Sequence, residues 1–142
     1  MLNIKRLSYS DCEIIMNAAV ARSIKVGTPK DIAIVDESGN LLQFKRMDGA
    51  KFSASEIAIN KAFTSAGGGR ATREYKEVAG PGGPAFGIHT QLGGRFTILG
   101  GGIPIVVEGE IVGAIGVSSG AATEDHDVAQ AGIDAFMEAL GS

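Results

Sequence analysis

The sequence predicts an α+β domain: an antiparallel sheet of about five strands flanked by helices. Three observations predict it. The 142 residues suit a single domain over 1–142, enough chain to bury about 70% of its unfolded surface. Apolar runs of strand length are joined by tight turns, which makes the pairing largely antiparallel. The order is helix, two strands, two helices, three strands, helix, which is not the alternation of a doubly wound fold.

Ser10-Asp11-Cys12-Glu13 has the spacing of a capping box and opens a helix to about Val26, stopped by Gly27 and Pro29. Its run Ala18 to Ala21 permits close packing against a sheet or a second subunit. Asp31 to Glu37 reads as a buried strand, Ser38-Gly39-Asn40 as a turn and Leu41 to Met47 as the return strand. Ser53-Ala54-Ser55-Glu56 is a second capping box, opening a helix to about Ala66 with Ile59, Ala62, Phe63 and Ala66 as its apolar stripe. Thr72 to Ala79 reads as a short helix capped by Thr72. The following GPGGPAFGIHTQLGG is too rich in Gly and Pro for regular structure, and such loops are usually functional or mobile. Strands are expected at Phe96 to Leu99, Ile103 to Val107 and Glu110 to Val117, with Glu108-Gly109 turning between the last two. The final helix is expected from about Thr123, its cap, to Leu140, with Val128, Ala131, Ala135, Phe136 and Ala139 on one face.

Composition narrows the function classes. A net charge of -3 and the lack of a Lys/Arg cluster argue against nucleic acid and anionic membranes as partners. No stretch approaches membrane-spanning length, and Cys12 stands alone, so no internal disulfide forms. Both features point to a cytoplasmic setting. The unusual number is glycine, 21 residues with clusters at 67–69, 80–87, 93–94 and 100–102 and no collagen period. Local clustering marks places where backbone approaches backbone or a ligand closely.

The candidate site residues fall in three groups. In GAIGVSSGAATEDHDVAQAG (113–132), Val112, Ala114, Gly116 and Ser118 share one strand face that shrinks toward its end, leaving volume for a ligand or a helix. Ser118, Ser119 and Gly120 then lead into a helix whose first turn carries Glu124, Asp125, His126 and Asp127. These acids either complement the helix dipole or edge a pocket, and with His126 they are a thin set of ligands for a divalent metal. Gly101 and Gly102, in the run 100–102, form either an anion-holding nest or a tight bend. Arg46, Asp48 and Lys61 make the third group. Arg46 either snorkels to water or points a guanidinium into a cleft, and Lys61 is either solvated or a partner for a carboxylate. His89, in the Gly-rich loop, and His126 are the only histidines.

These residues resemble the GlcG/HbpS family, also described as the C-terminal domain of PduO-type proteins. The resemblance is carried by AIVDESGNLLQFKRMDGA (33–50), SASEIAINKAFTSA (53–66), Thr72, GGGIPIVVEGEIVGAIGVSSG (100–120) and EDHDVAQAG (124–132). One departure is Ser119, where members often carry glycine. The resemblance implies a profilin-like fold, homo-oligomers and, in some members, haem binding. It makes this chain a small-molecule-binding protein that takes haem or a related tetrapyrrole as cofactor. In that reading His89 or His126 is the axial ligand, Phe86 and Phe96 cover the macrocycle, and Arg46 or Lys61 meets a propionate. The alternatives are a small catabolic enzyme, with Arg46 gripping a carboxylic acid and Glu124 or His126 moving a proton, and a non-catalytic oligomeric accessory protein.

Overall fold

The computed structural model describes residues 1–142. Strand β1 (Asp31–Asp36) is buried along its whole length, as befits an apolar run at the centre of a sheet. It pairs antiparallel with β2 (Leu41–Arg46) on one side and β4 (Glu110–Ser118) on the other. β3 (Gly102–Val107) pairs with the far side of β4, giving the order β2-β1-β4-β3. The β1–β2 turn closes on the Asp36 carboxylate, which accepts the backbone N–H groups of Ser38 and Asn40 at 2.9 and 3.0 Å. Between β3 and β4, Glu108 and Gly109 both have positive φ, 51° and 79°, the backbone twist of a two-residue hairpin.

Two helices, α1 (Tyr9–Val26) and α4 (Ala122–Leu140), cover one face of the sheet. Ile15, Met16, Ile32, Ile34, Ile115 and Val128 fill that core without solvent exposure. Cys12 lies in the same core, and burial pushes its thiol up to about 11. Helix α2 (Ser53–Gly68) covers the other face through small residues: Ala33, Val35, Ala58, Ala62, Ala66 and Ala114. Without bulk between them the backbones approach closely. A Cβ at Gly116 would overlap the Ala58 carbonyl and the Ala62 amide. The shrinking face of β4 is thus filled by a helix. A 3-10 turn (Thr72–Glu74), the four-residue helix α3 (Tyr75–Val78) and further turns carry the chain to β3.

Several expectations need correction. The sheet has four strands, because residues 96–99 form none. There the Thr64 hydroxyl donates to the Arg95 carbonyl and accepts the Thr97 N–H, so α2 takes the bonds a neighbouring strand would have made. Phe96 sets its ring edge-on to Tyr75 at 5.0 Å. Helix α1 starts earlier, on a capping box of Ser8 with Asp11. Helix α2 follows Phe52, which is itself in the αR region, so no extended residue precedes it to act as a cap. Ser55, from the expected box, donates instead to Asp31. Helix α4 follows Ala121 without a side-chain cap, placing Thr123 inside the helix. Thr72 caps nothing; its hydroxyl accepts the Gly102 N–H at 2.9 Å. The buried stripe of α4 is Asp125, Val128, Ala129, Gly132, Ile133 and Phe136, rotated from the expected face.

Gly116→Ala is expected to lose about 3 kcal/mol of stability, because two backbones rather than a pliable side chain must move. Urea denaturation measures it, and an unchanged midpoint would show that α2 and β4 do not pack in this register.

Candidate functional site

At the end of the sheet where β1 starts and β4 finishes, four ionisable side chains meet. Lys30 directly precedes β1 and is fully buried. Its Nζ donates to Asp125 Oδ1 at 2.8 Å and lies 2.7 Å from Glu124 Oε1. Lys61, in the middle of α2, is 2% exposed. Its Nζ donates to the Val117 carbonyl at 2.8 Å and to Asp125 Oδ2 at 3.2 Å. Asp125, in the first turn of α4, therefore shares its carboxylate between two buried ammonium groups. Burial pulls the Lys61 pKa below the ordinary lysine value, while Asp125 opposes that pull. The hydrogen bond from Lys30 lowers the Glu124 pKa, with Thr28 adding to the effect. Two cations and two anions balance, which is what makes burial of the cluster tolerable.

Lys61 and Asp125 of this cluster form the floor of a cleft of about 350 Å³, with Lys30 and Glu124 outside the lining. Its walls are the first turns of α2 (Ser53, Ala54, Ile57), the end of β4 (Ser118 to Gly120) and the start of α4 (Ala122). Lys51 and Leu99 complete the rim. Ser119 stands at φ 89°, a left-handed conformation that costs a non-glycine residue on the order of 1 kcal/mol. It is held there partly because its hydroxyl accepts the Lys51 N–H at 3.0 Å. Two glycines make room for the lysines. A Cβ at Gly120 would overlap the Lys30 ammonium, and one at Gly101 would crowd the Val117 carbonyl and Lys61 Nζ.

A family model described as haem degrading protein HbpS-like matches residues 7–134. The chain belongs to the HbpS-like family. It is 38% identical to Protein GlcG of Escherichia coli K12 over 112 residues, 79% of this chain and 81% of that protein. It is 34% identical to the corrinoid adenosyltransferase PduO of Salmonella typhimurium LT2 over 92% of this chain. That match spans only 39% of PduO's length. A solved PduOC:haem complex superposes with a TM-score of 0.88 at 34% identity, covering 92% of this chain and 94% of that one.

In this HbpS-like chain the expected site residues divide. Lys61, Ser118, Ser119, Gly120 and Asp125 border the cleft, and Gly101 supports Lys61 from behind. Gly102 begins β3, tight against the Lys61 carbonyl and Thr72. Glu124 faces Lys30, not the cleft. Arg46 is exposed at the end of β2, two strands from Ser118 in the row Arg46–Asp31–Ser118, and Asp48 is exposed beyond it. Lys61 is neither solvated nor free: its ammonium is spent on Asp125 and Val117. The acids of α4 do not converge on His126 as metal ligands, because Asp125 turns to the lysines and Asp127 pairs with Arg22 at 2.7 Å. Lys30 was missed. Its only sequence signal is a charged residue abutting the apolar run DIAIV, which gives no hint that the side chain turns inward.

His126 is half-buried, and its Nδ1 has no partner. Burial, then the charge of Arg73, lowers its pKa, against the opposite pull of Asp127 and Glu74. His89, in the loop, also has a partnerless Nδ1 and lies 6.0 Å from the Phe86 ring.

Replacing Asp125 by Asn leaves two buried ammonium groups facing each other and should cost about 3–5 kcal/mol. The deficit should narrow as pH rises toward the ordinary lysine value of about 10.4. The folded variant then holds Lys61 at a still lower pKa, so the unfolded state binds more protons and stability climbs with pH. Denaturation curves at neutral and alkaline pH check both statements. For His126 the sign is similar but the window differs. Its lowered folded pKa makes the native chain lose stability as pH falls below about 6.5. His126→Gln should flatten that limb of the stability profile, and identical limbs in both proteins would show that the imidazole is not perturbed.

Proposed function

We propose that the chain binds haem or a related tetrapyrrole. The observation that carries this reading is the loop after α3. It exposes Phe86, Leu92 and Leu99 by more than half and carries a histidine, His89, which lies 6.0 Å from the Phe86 ring with its Nδ1 buried and without a partner. A flat apolar macrocycle would cover such side chains, and the His89 imidazole would be a fitting donor to its iron. The likeness to the PduOC:haem complex over 92% of the chain supports the same reading. Bound haem would supply the iron chemistry. The chain's part is to hold the ring, exclude water from one face and present the imidazole. Phe96 is half-buried with its ring packed edge-on to Tyr75, so it offers such a ring less surface than Phe86 does. The second histidine, His126, remains the other candidate ligand, since burial and Arg73 keep it neutral.

We further read the protein as a cytoplasmic homo-oligomer. A lone buried Cys12 fits a reducing compartment. Ile24 on α1 and Leu41 on the edge strand β2 are at least half exposed, which suits an interface. No helix is long and apolar enough to cross a membrane.

A visible-absorption titration with hemin is expected to give a saturable Soret shift at one haem per chain. The shift should be lost in His89→Ala and kept in His126→Ala. No shift, or one indifferent to both substitutions, would remove the histidine-ligated model.

A further inference from the structure

We infer that the cleft beside Asp125 is a separate binding site for a carboxylate group. The inference is argued from residues other than those of the haem reading, with which the cleft shares only Leu99 at its rim. Four features of the cleft agree. Ser118, only 6% exposed, lines it, and its hydroxyl makes no hydrogen bond within the chain. The neighbouring Ser119 hydroxyl accepts from the Lys51 N–H and keeps its own proton to give. Helix α4 begins at the cleft without a side-chain cap, and the N–H groups of Ala122, Thr123 and Glu124 have no acceptor in the chain. The first turn of α2 also borders the space and adds the positive end of its dipole, although its Ala54 and Ser55 N–H groups are already bonded to the Lys51 and Phe52 carbonyls.

The charges around the cleft select an anion over a neutral or cationic ligand. Both oxygens of Asp125 are taken by Lys30 and Lys61, and Glu124 is turned to Lys30. Asp31, beside Ser118 in the sheet, accepts from Ser55 through Oδ1; its Oδ2 is buried without a partner, and the residue is not part of the lining. What faces the space is therefore a set of donors: two hydroxyls, unpaired helix N–H groups, and the ammonium of Lys51 at the rim. A planar carboxylate matches these donors, and about 350 Å³ accommodates a small organic acid or one arm of a larger ligand.

The carboxylate has two possible sources, a free small acid or the propionate of a bound tetrapyrrole. The test follows backbone amide shifts of the whole chain by NMR, with four probes: acetate, acetamide, zinc protoporphyrin and its dimethyl ester. Binding of a free acid predicts saturable shifts of Ala122, Thr123 and Glu124 with acetate and none with acetamide. Ser118→Ala should then weaken acetate binding about tenfold, through loss of a hydrogen bond to a charged group. If acetate is silent, a propionate source predicts that zinc protoporphyrin moves the same amides and that its dimethyl ester binds without moving them. Equal shifts from acetate and acetamide, an unchanged acetate affinity in Ser118→Ala, or stationary α4 amides with every probe would each overturn the inference. Failure of the porphyrins to bind would remove the haem reading and leave acetate to decide this one.

Discussion

Asp125 is the point on which the rest of the structure depends. Its carboxylate is claimed by Lys30, at the entry to the central strand, and by Lys61, in the helix on the opposite face of the sheet. The bond set therefore joins the α4 layer to the α2 layer around the end of the sheet. Burying these charges is expensive, and only mutual pairing offsets the lost hydration. That requirement fixes positions far apart in sequence. Gly120 must leave space over the Lys30 ammonium, Gly101 must leave space beside Lys61, and the last turn of β4 must direct its Val117 carbonyl at Lys61 Nζ.

A neutral, rigid floor has a functional consequence. Because the two lysines and two acids satisfy one another, the charge in the cleft is set by what lies above them, namely hydroxyls and helix ends. A site built this way discriminates by hydrogen-bond geometry more than by bulk field, which suits a chain with a small net negative charge. The apolar loop carrying His89 offers the opposite chemistry. The chain thus presents one surface suited to a ring and one suited to an acid group.

Much of the architecture was legible in the order and spacing of residues. Alternation, turn glycines and helix stops located β1, β2, β3, β4 and the long helices within a few residues, because these signals are local. What could not be read depended on tertiary competition. Phe96 to Leu99 has strand composition, yet Thr64 takes the backbone groups through which it would have paired. Ser53 to Glu56 has the spacing of a cap, yet Ser55 answers to Asp31. The site was half visible: Ser118 to Asp125 stood out as small residues beside acids. Lys30 did not, because nothing local tells an inward lysine from an exposed one. Ser119 illustrates the same limit. A serine is no signal for positive φ, yet the backbone there is left-handed.

Cys12 has a use beyond packing. Its thiol sits 2% exposed between α1 and the sheet, and burial keeps it protonated with a pKa near 11. Thiolate is the cysteine species that reacts with oxidants and alkylating reagents, so Cys12 is shielded from both in the native chain at neutral pH. Only opening of the α1 side of the core exposes the sulfur. With one such thiol in the molecule, the rate of alkylation is a clock for that opening, with no label to introduce and no second site to confuse it. The same shielding leaves the chain without a reactive thiol at its surface.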